Sequence, residues 1–83
     1  MDIIISDHAK FEITRRQLSE EMVRSVAESP QKVVKLRKTR EIHQSQYHDP
    51  VAGKEMLLRI VCERRRGQIF VVTAYRTSKI DKY

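Results

Sequence analysis

The sequence predicts an α+β domain spanning residues 1–83, with two N-terminal helices packed on one face of a twisted, mainly antiparallel sheet of about four strands. Three observations predict it. Up to Pro30 the apolar residues follow a helical period behind two serine-led caps. Beyond Pro30 the period falls to two and β-branched residues are enriched. A chain of 83 residues that is 40% hydrophobic, with two Gly and two Pro, holds one layered core and a surface site, not a deep multilayer pocket.

Ile3, Ile4 and Ile5 form a short β-prone run that is expected to join an edge of the sheet. Ser6 and Asp7 then cap a helix running from Asp7 to about Gln17. Ser19 repeats the signal with Glu20 and Glu21 behind it. Met22, Val23, Val26 and Ala27 make one apolar stripe before Ser29 and Pro30 stop the second helix. Strands are expected over Lys32 to Leu36, Glu41 to Tyr47, Glu55 to Arg64, and Gln68 to Arg76. Asp49-Pro50 through Gly53 marks one turn. Arg65-Arg66-Gly67 fits a three-residue hairpin loop with positive φ at Gly67. That loop sets Met56 opposite Arg76, Leu58 opposite Ala74, Ile60 opposite Val72 and Cys62 opposite Phe70 as the core face. It sets Leu57 opposite Tyr75, Arg59 opposite Thr73 and Val61 opposite Val71 on the other.

Composition excludes several classes. No apolar run approaches the roughly 20 residues that span a bilayer, and no membrane partner is expected. The single Cys62 forms no internal disulfide and, among strand apolars, reads as core. The opening Met-Asp-Ile-Ile-Ile-Ser is too short and acidic for a signal peptide, so a cytoplasmic protein is expected. No Gly-rich phosphate loop or nucleophile elbow is present. His8, His43, His48 and Cys62 have no metal-ligand spacing, so neither metal nor cofactor is expected.

Charge points outward. The chain carries +6, with 4 basic and 6 acidic residues in 1–31 against 13 basic and 5 acidic in 32–83. The C-terminal part is therefore expected to face a polyanion, with nucleic acid or an acidic protein as partner. His8, Glu12 and Arg16 recur every four residues and share a helix sector with Arg15. They read either as a base with a phosphate-holding cation or as a plain Glu12 to Arg16 ion pair. His43, Ser45 and Tyr47 share a strand face, where they either meet RNA or simply face water. Arg64, Arg65 and Arg66 read either as a solvated hairpin tip or as a tip that touches a phosphate backbone.

His8-Ala9, the Arg16-Gln17-Leu18-Ser19-Glu20-Glu21 run, Glu28-Ser29-Pro30-Gln31-Lys32-Val33 and the Val71-to-Tyr83 ending (Thr73-Ala74-Tyr75-Arg76-Thr77-Ser78-Lys79-Ile80-Asp81-Lys82-Tyr83 within it) carry a resemblance over nearly the whole chain. The sequence resembles the small bacterial and phage proteins of the DUF4258-type family, grouped with the barnase, EndoU, colicin-nuclease and RelE superfamily. That resemblance implies a RelE/ParE-toxin-like fold and the toxin component of a toxin-antitoxin pair, a metal-independent endoribonuclease acting on RNA and partnered by an acidic antitoxin. The alternatives are a non-catalytic toxin or binding module acting on nucleic acid or on a protein target such as gyrase, and a housekeeping partner-binding domain. The family motif carries over to His8, Arg16, Thr73 and Tyr75. One departure is Glu12, where the family commonly has a basic residue one turn after the His. On this reading His8 is the acid or base, Arg16 and Arg59 stabilise phosphate charge, and Thr73 and Tyr75 position it. Arg64, Arg65, Arg66, His43 and Tyr47 supply further RNA contacts.

Overall fold

The computed structural model describes residues 2–83. Its elements are β1 (Asp2–Ile5), α1 (Asp7–Arg15), α2 (Glu20–Glu28), β2 (Lys32–Lys35), β3 (Arg40–Asp49), β4 (Lys54–Arg65), β5 (Gln68–Thr77) and a short 3-10 turn over Ile80–Lys82. The helices begin where the serine caps place them. Ser6 Oγ accepts from the Ala9 amide at 3.0 Å and Ser19 Oγ from the Met22 amide at 3.2 Å. Helix α1 ends two residues earlier than expected because Gln17 takes a left-handed φ of 56°. The Leu18 amide then closes back on the Ile13 carbonyl at 2.9 Å, tying off the last turn.

The sheet has five strands in the order β1-β5-β4-β3-β2, the four expected after Pro30 and the isoleucine strand added at one edge, and it is mixed. Strand β1 pairs parallel with the first half of β5, Ile5 lying opposite Val71, while the other three pairings are antiparallel. Both helices pack on one face. Ala9, Ile13, Val23, Val26 and Ala27 from the helices meet Leu58, Ile60 and Cys62 of β4 and Ile69, Val71 and Ala74 of β5. This core buries the expected stripe of α2, with Met22 packed at its margin.

The β4–β5 register departs from expectation in two steps. Arg65 stays in the ladder opposite Gln68, so only Arg66 and Gly67 form the loop, and Gly67 has the expected positive φ of 68°. Cys62 therefore faces Val71, not Phe70. A bulge then leaves Val72 without an opposing residue, and beyond it Val61 faces Thr73, Ile60 faces Ala74, Arg59 faces Tyr75, Leu58 faces Arg76 and Leu57 faces Thr77. Each step alone would exchange the faces of β5. Together they cancel, so Phe70 and Val72 leave the helix-facing layer while Thr73 and Tyr75 remain on the far face.

Among the described residues no helix is long and apolar enough to cross a membrane.

Candidate functional site

Strand β1 covers the outer edge of β5 only as far as Val71, whose carbonyl accepts from the Ser6 amide at 3.2 Å. Beyond that point the edge is taken over by α1. Arg16, at the C-cap of α1, reaches it: Nη1 donates to the Ala74 carbonyl at 2.6 Å and lies 3.4 Å from Thr73 Oγ1. A helix on one face of the sheet thereby contacts a hydroxyl on the other. Arg76 returns the contact, donating through Nη2 to the Arg16 carbonyl at 2.6 Å and through Nη1 to Asp49 Oδ2 at 2.9 Å. The first bond places a cation on a carbonyl at the negative end of the helix.

Arg15, Arg16, Gln17, Tyr75 and Arg76 line one open cleft at this junction. Arg15 is paired with Glu12 at 2.5 Å, and Arg16 stands 3.5 Å from the same carboxylate. The hydrogen bond from Arg15, with the charges of Arg15, Arg16 and His8, holds the Glu12 carboxyl below its usual range against some desolvation. Two of the three guanidiniums are thus balanced, Arg15 by Glu12 and Arg76 by Asp49, and the cleft keeps a net positive charge. Five donors on each planar guanidinium leave hydrogen-bonding capacity for an anion.

Behind the cleft, on the far face, lies Arg59. It is 5% exposed, donates through Nε to Gln44 Oε1 at 2.9 Å and through Nη1 to the Tyr75 hydroxyl at 2.7 Å. Its guanidinium carbon sits 3.6 Å from the centre of the Tyr83 ring. Tyr75 is the hinge of the arrangement, its hydroxyl held from behind while its side chain lines the cleft.

Arg16, Thr73 and Tyr75 are therefore brought together, and His8 is not among the residues of the cleft. It is exposed in the first turn of α1, eight residues before Arg16, which is about 12 Å along a helix axis. His43 is corrected outright as a solvent-facing RNA contact. It is 2% exposed beneath α2, with Nδ1 2.7 Å from the Ala27 carbonyl and Nε2 2.9 Å from Glu41 Oε1. The face it shares with Tyr47 is the helix-covered one. Tyr47 is half-buried against the core, its hydroxyl donating to Asp49 Oδ2 at 2.9 Å, and burial with that bond raises its pKa. Arg64, Arg65 and Arg66 are exposed at the hairpin end, Arg65 lying 4.2 Å over the Phe70 ring.

Arg15, which the sequence placed in the same helix sector as Arg16, lines the cleft with it, and Gln17 and Arg76 are cleft residues that the sequence did not single out. The signal for Arg76 was its place directly after Tyr75 at a strand end, but the expected register set it opposite Met56 in the core. Among the described residues no group of His, Cys, Asp or Glu is arranged to hold a metal ion. A second, more apolar hollow of about 170 Å³ lies beside the cleft, between Leu18, Met22, Tyr47, Val51 and Leu58, and shares Gln17 and Arg76 with it.

Comparison with protein-family models, with curated proteins and with solved structures finds no match to this chain.

Proposed function

We propose that the protein is a RelE/ParE-like toxin domain that engages the RNA backbone, with the cleft between α1 and β5 as its phosphate site. The carrying observation is that Arg15, Arg16, Arg76 and the Tyr75 phenol share one open surface with excess positive charge. A phosphodiester supplies the acceptor oxygens such a group is built to meet. The uneven charge of the chain, 13 basic residues against 5 acidic in 32–83, supports a polyanionic ligand.

Binding of fluorescently labelled single-stranded RNA, measured in chelator, tests this. Arg16→Ala and Tyr75→Phe should each weaken binding several-fold while the circular dichroism spectrum stays native. Unaltered affinity in both would overturn the proposal.

A catalytic reading, metal-independent RNA cleavage, is favoured by one further observation. The Tyr75 hydroxyl accepts a bond from Arg59, which leaves its own proton for an acceptor on a ligand in the cleft that Tyr75 lines. On this reading Tyr75 takes the proton-transfer part that sequence reasoning gave to His8. Cleavage in chelator that survives His8→Ala and is lost in Tyr75→Phe would support it. Intact RNA after prolonged incubation with the native protein would leave the binding module as the function.

A further inference from the structure

Arg59 is unusual among the cations of this fold. Arg76, with its side chain 26% exposed, is paired with Asp49, and Arg40, 29% exposed, is paired with Glu63. Arg59 is 5% exposed and, among the described residues, forms no ion pair. A charge withdrawn from water ordinarily needs a carboxylate or an equivalent partner. Here two neutral groups hold it, Gln44 through Nε and Tyr75 through Nη1, and both bonds fix the orientation of the guanidinium plane. The plane is covered by the Tyr83 ring at 3.6 Å, a stacking distance.

The covering segment is lightly held. Residues Ile80–Lys82 form a single 3-10 turn with no place in the sheet ladder. Tyr83 itself is tied by an exposed bond from Lys32 Nζ to its carbonyl oxygen at 2.8 Å. Exposed contacts of this kind cost little to break. Beneath the ring is a flat, desolvated cation, connected through the Tyr75 hydroxyl to the cleft.

We infer that the Arg59 face is a nucleobase subsite, covered in the free protein by the Tyr83 ring. A base of single-stranded RNA displaces that ring and stacks on the guanidinium while its neighbouring phosphate occupies the cleft, so the inference rests on the cleft reading above. Nucleobases and phenol rings both present a π-face to a guanidinium, so the exchange replaces like with like and is close to balanced.

The experiment compares native protein, Tyr83→Ala and Tyr83→Phe for binding of a single-stranded RNA tetranucleotide and of its abasic counterpart. The closed cover lowers the apparent affinity in proportion to the fraction of molecules that are open, so Tyr83→Ala should bind the tetranucleotide roughly ten-fold more tightly. The abasic chain should show no such gain, and Tyr83→Phe should behave as native. Equal or weaker binding by Tyr83→Ala, or an equal gain with the abasic chain, would overturn the subsite and leave the cleft reading standing. If neither oligonucleotide binds any of the three proteins, the cleft reading fails and the subsite fails with it.

Discussion

Glu41 and Asp49 show how buried carboxylates fit this basic protein. The hydrogen bond with His43, then Lys35 and the nearby charges, holds the Glu41 carboxyl below its ordinary range despite desolvation. Asp49 is lowered first by the Ala52 amide, then by Tyr47, the Val51 amide and Arg76. Their folded forms bind protons less readily than the unfolded chain. Their stabilisation is complete above the unfolded values, near about 4, and is lost as pH falls through the lower folded ones. Denaturant melts at descending pH should therefore show falling stability in the acid range. Glu41→Gln and Asp49→Asn, weaker at neutral pH, should each show a shallower fall. Cys62 makes the opposite case, its thiol pushed up to about 12 chiefly by burial. Cys62→Ala should cost about 1 to 2 kcal/mol in unfolding free energy, leave RNA binding unchanged, and the native thiol should label slowly. Core residues such as this one were legible from alternation alone. His43 was not, because a polar residue on an alternating strand reads as solvent-facing, and nothing local reveals that α2 covers it and supplies the Ala27 carbonyl.

At the level of elements, the caps, the Pro30 stop and the strand positions were readable because each depends on a few adjacent residues. Strand β1 shows where that ends. Its run of three isoleucines announced a strand, but its parallel partner β5 lies more than sixty residues away, and only the folded core selects that pairing. The end of α1 is a local feature with a cost. Gln17 sits at φ 56°, a conformation glycine adopts freely and a side chain resists. Gln17→Gly should stabilise the fold by about 1 kcal/mol, read as a raised denaturation midpoint. Because Gln17 also lines the cleft, the same variant reports whether its side chain touches the ligand: unchanged RNA affinity assigns it to the helix end alone.

For the whole molecule, charge that is scattered in sequence becomes a pole in space. The Arg64 amide donates to the Thr39 carbonyl at 2.7 Å and Arg40 pairs with Glu63 at 2.7 Å, so the β2–β3 loop and the β4–β5 hairpin share one end of the sheet. Arg37, Lys38, Arg40, Arg64, Arg65 and Arg66 gather there. Arg65 lies six steps along the strand from Arg59, about 20 Å, so an RNA must be longer than that to touch pole and cleft together. Replacing Arg64, Arg65 and Arg66 with Ala should weaken binding of such an RNA whatever its sequence. It should also reduce the slope of log affinity against log salt by up to about 2. A slope identical to that of the native protein would remove the pole from the interface. The sequence disclosed this charge imbalance but not its geometry, which depends on two turns meeting.

The bulge at Val72 has a consequence for how the chain tolerates length change. Losing one residue from a strand ordinarily turns every later side chain to the wrong face. Here the slip is already built in, since Val72 has no partner and Val71 and Thr73 face the adjacent residues Cys62 and Val61. Deleting Val72 would join those pairs into an unbroken ladder, with Ala74 still toward the helices and Tyr75 still away from them. The deletion should fold. What it removes is the local bend a bulge imposes, at the point where β1 ends and α1 takes over the edge. A shortened protein that melts like the native one yet binds RNA poorly would mark Val72 as a spacer kept for the aim of Thr73 and Tyr75.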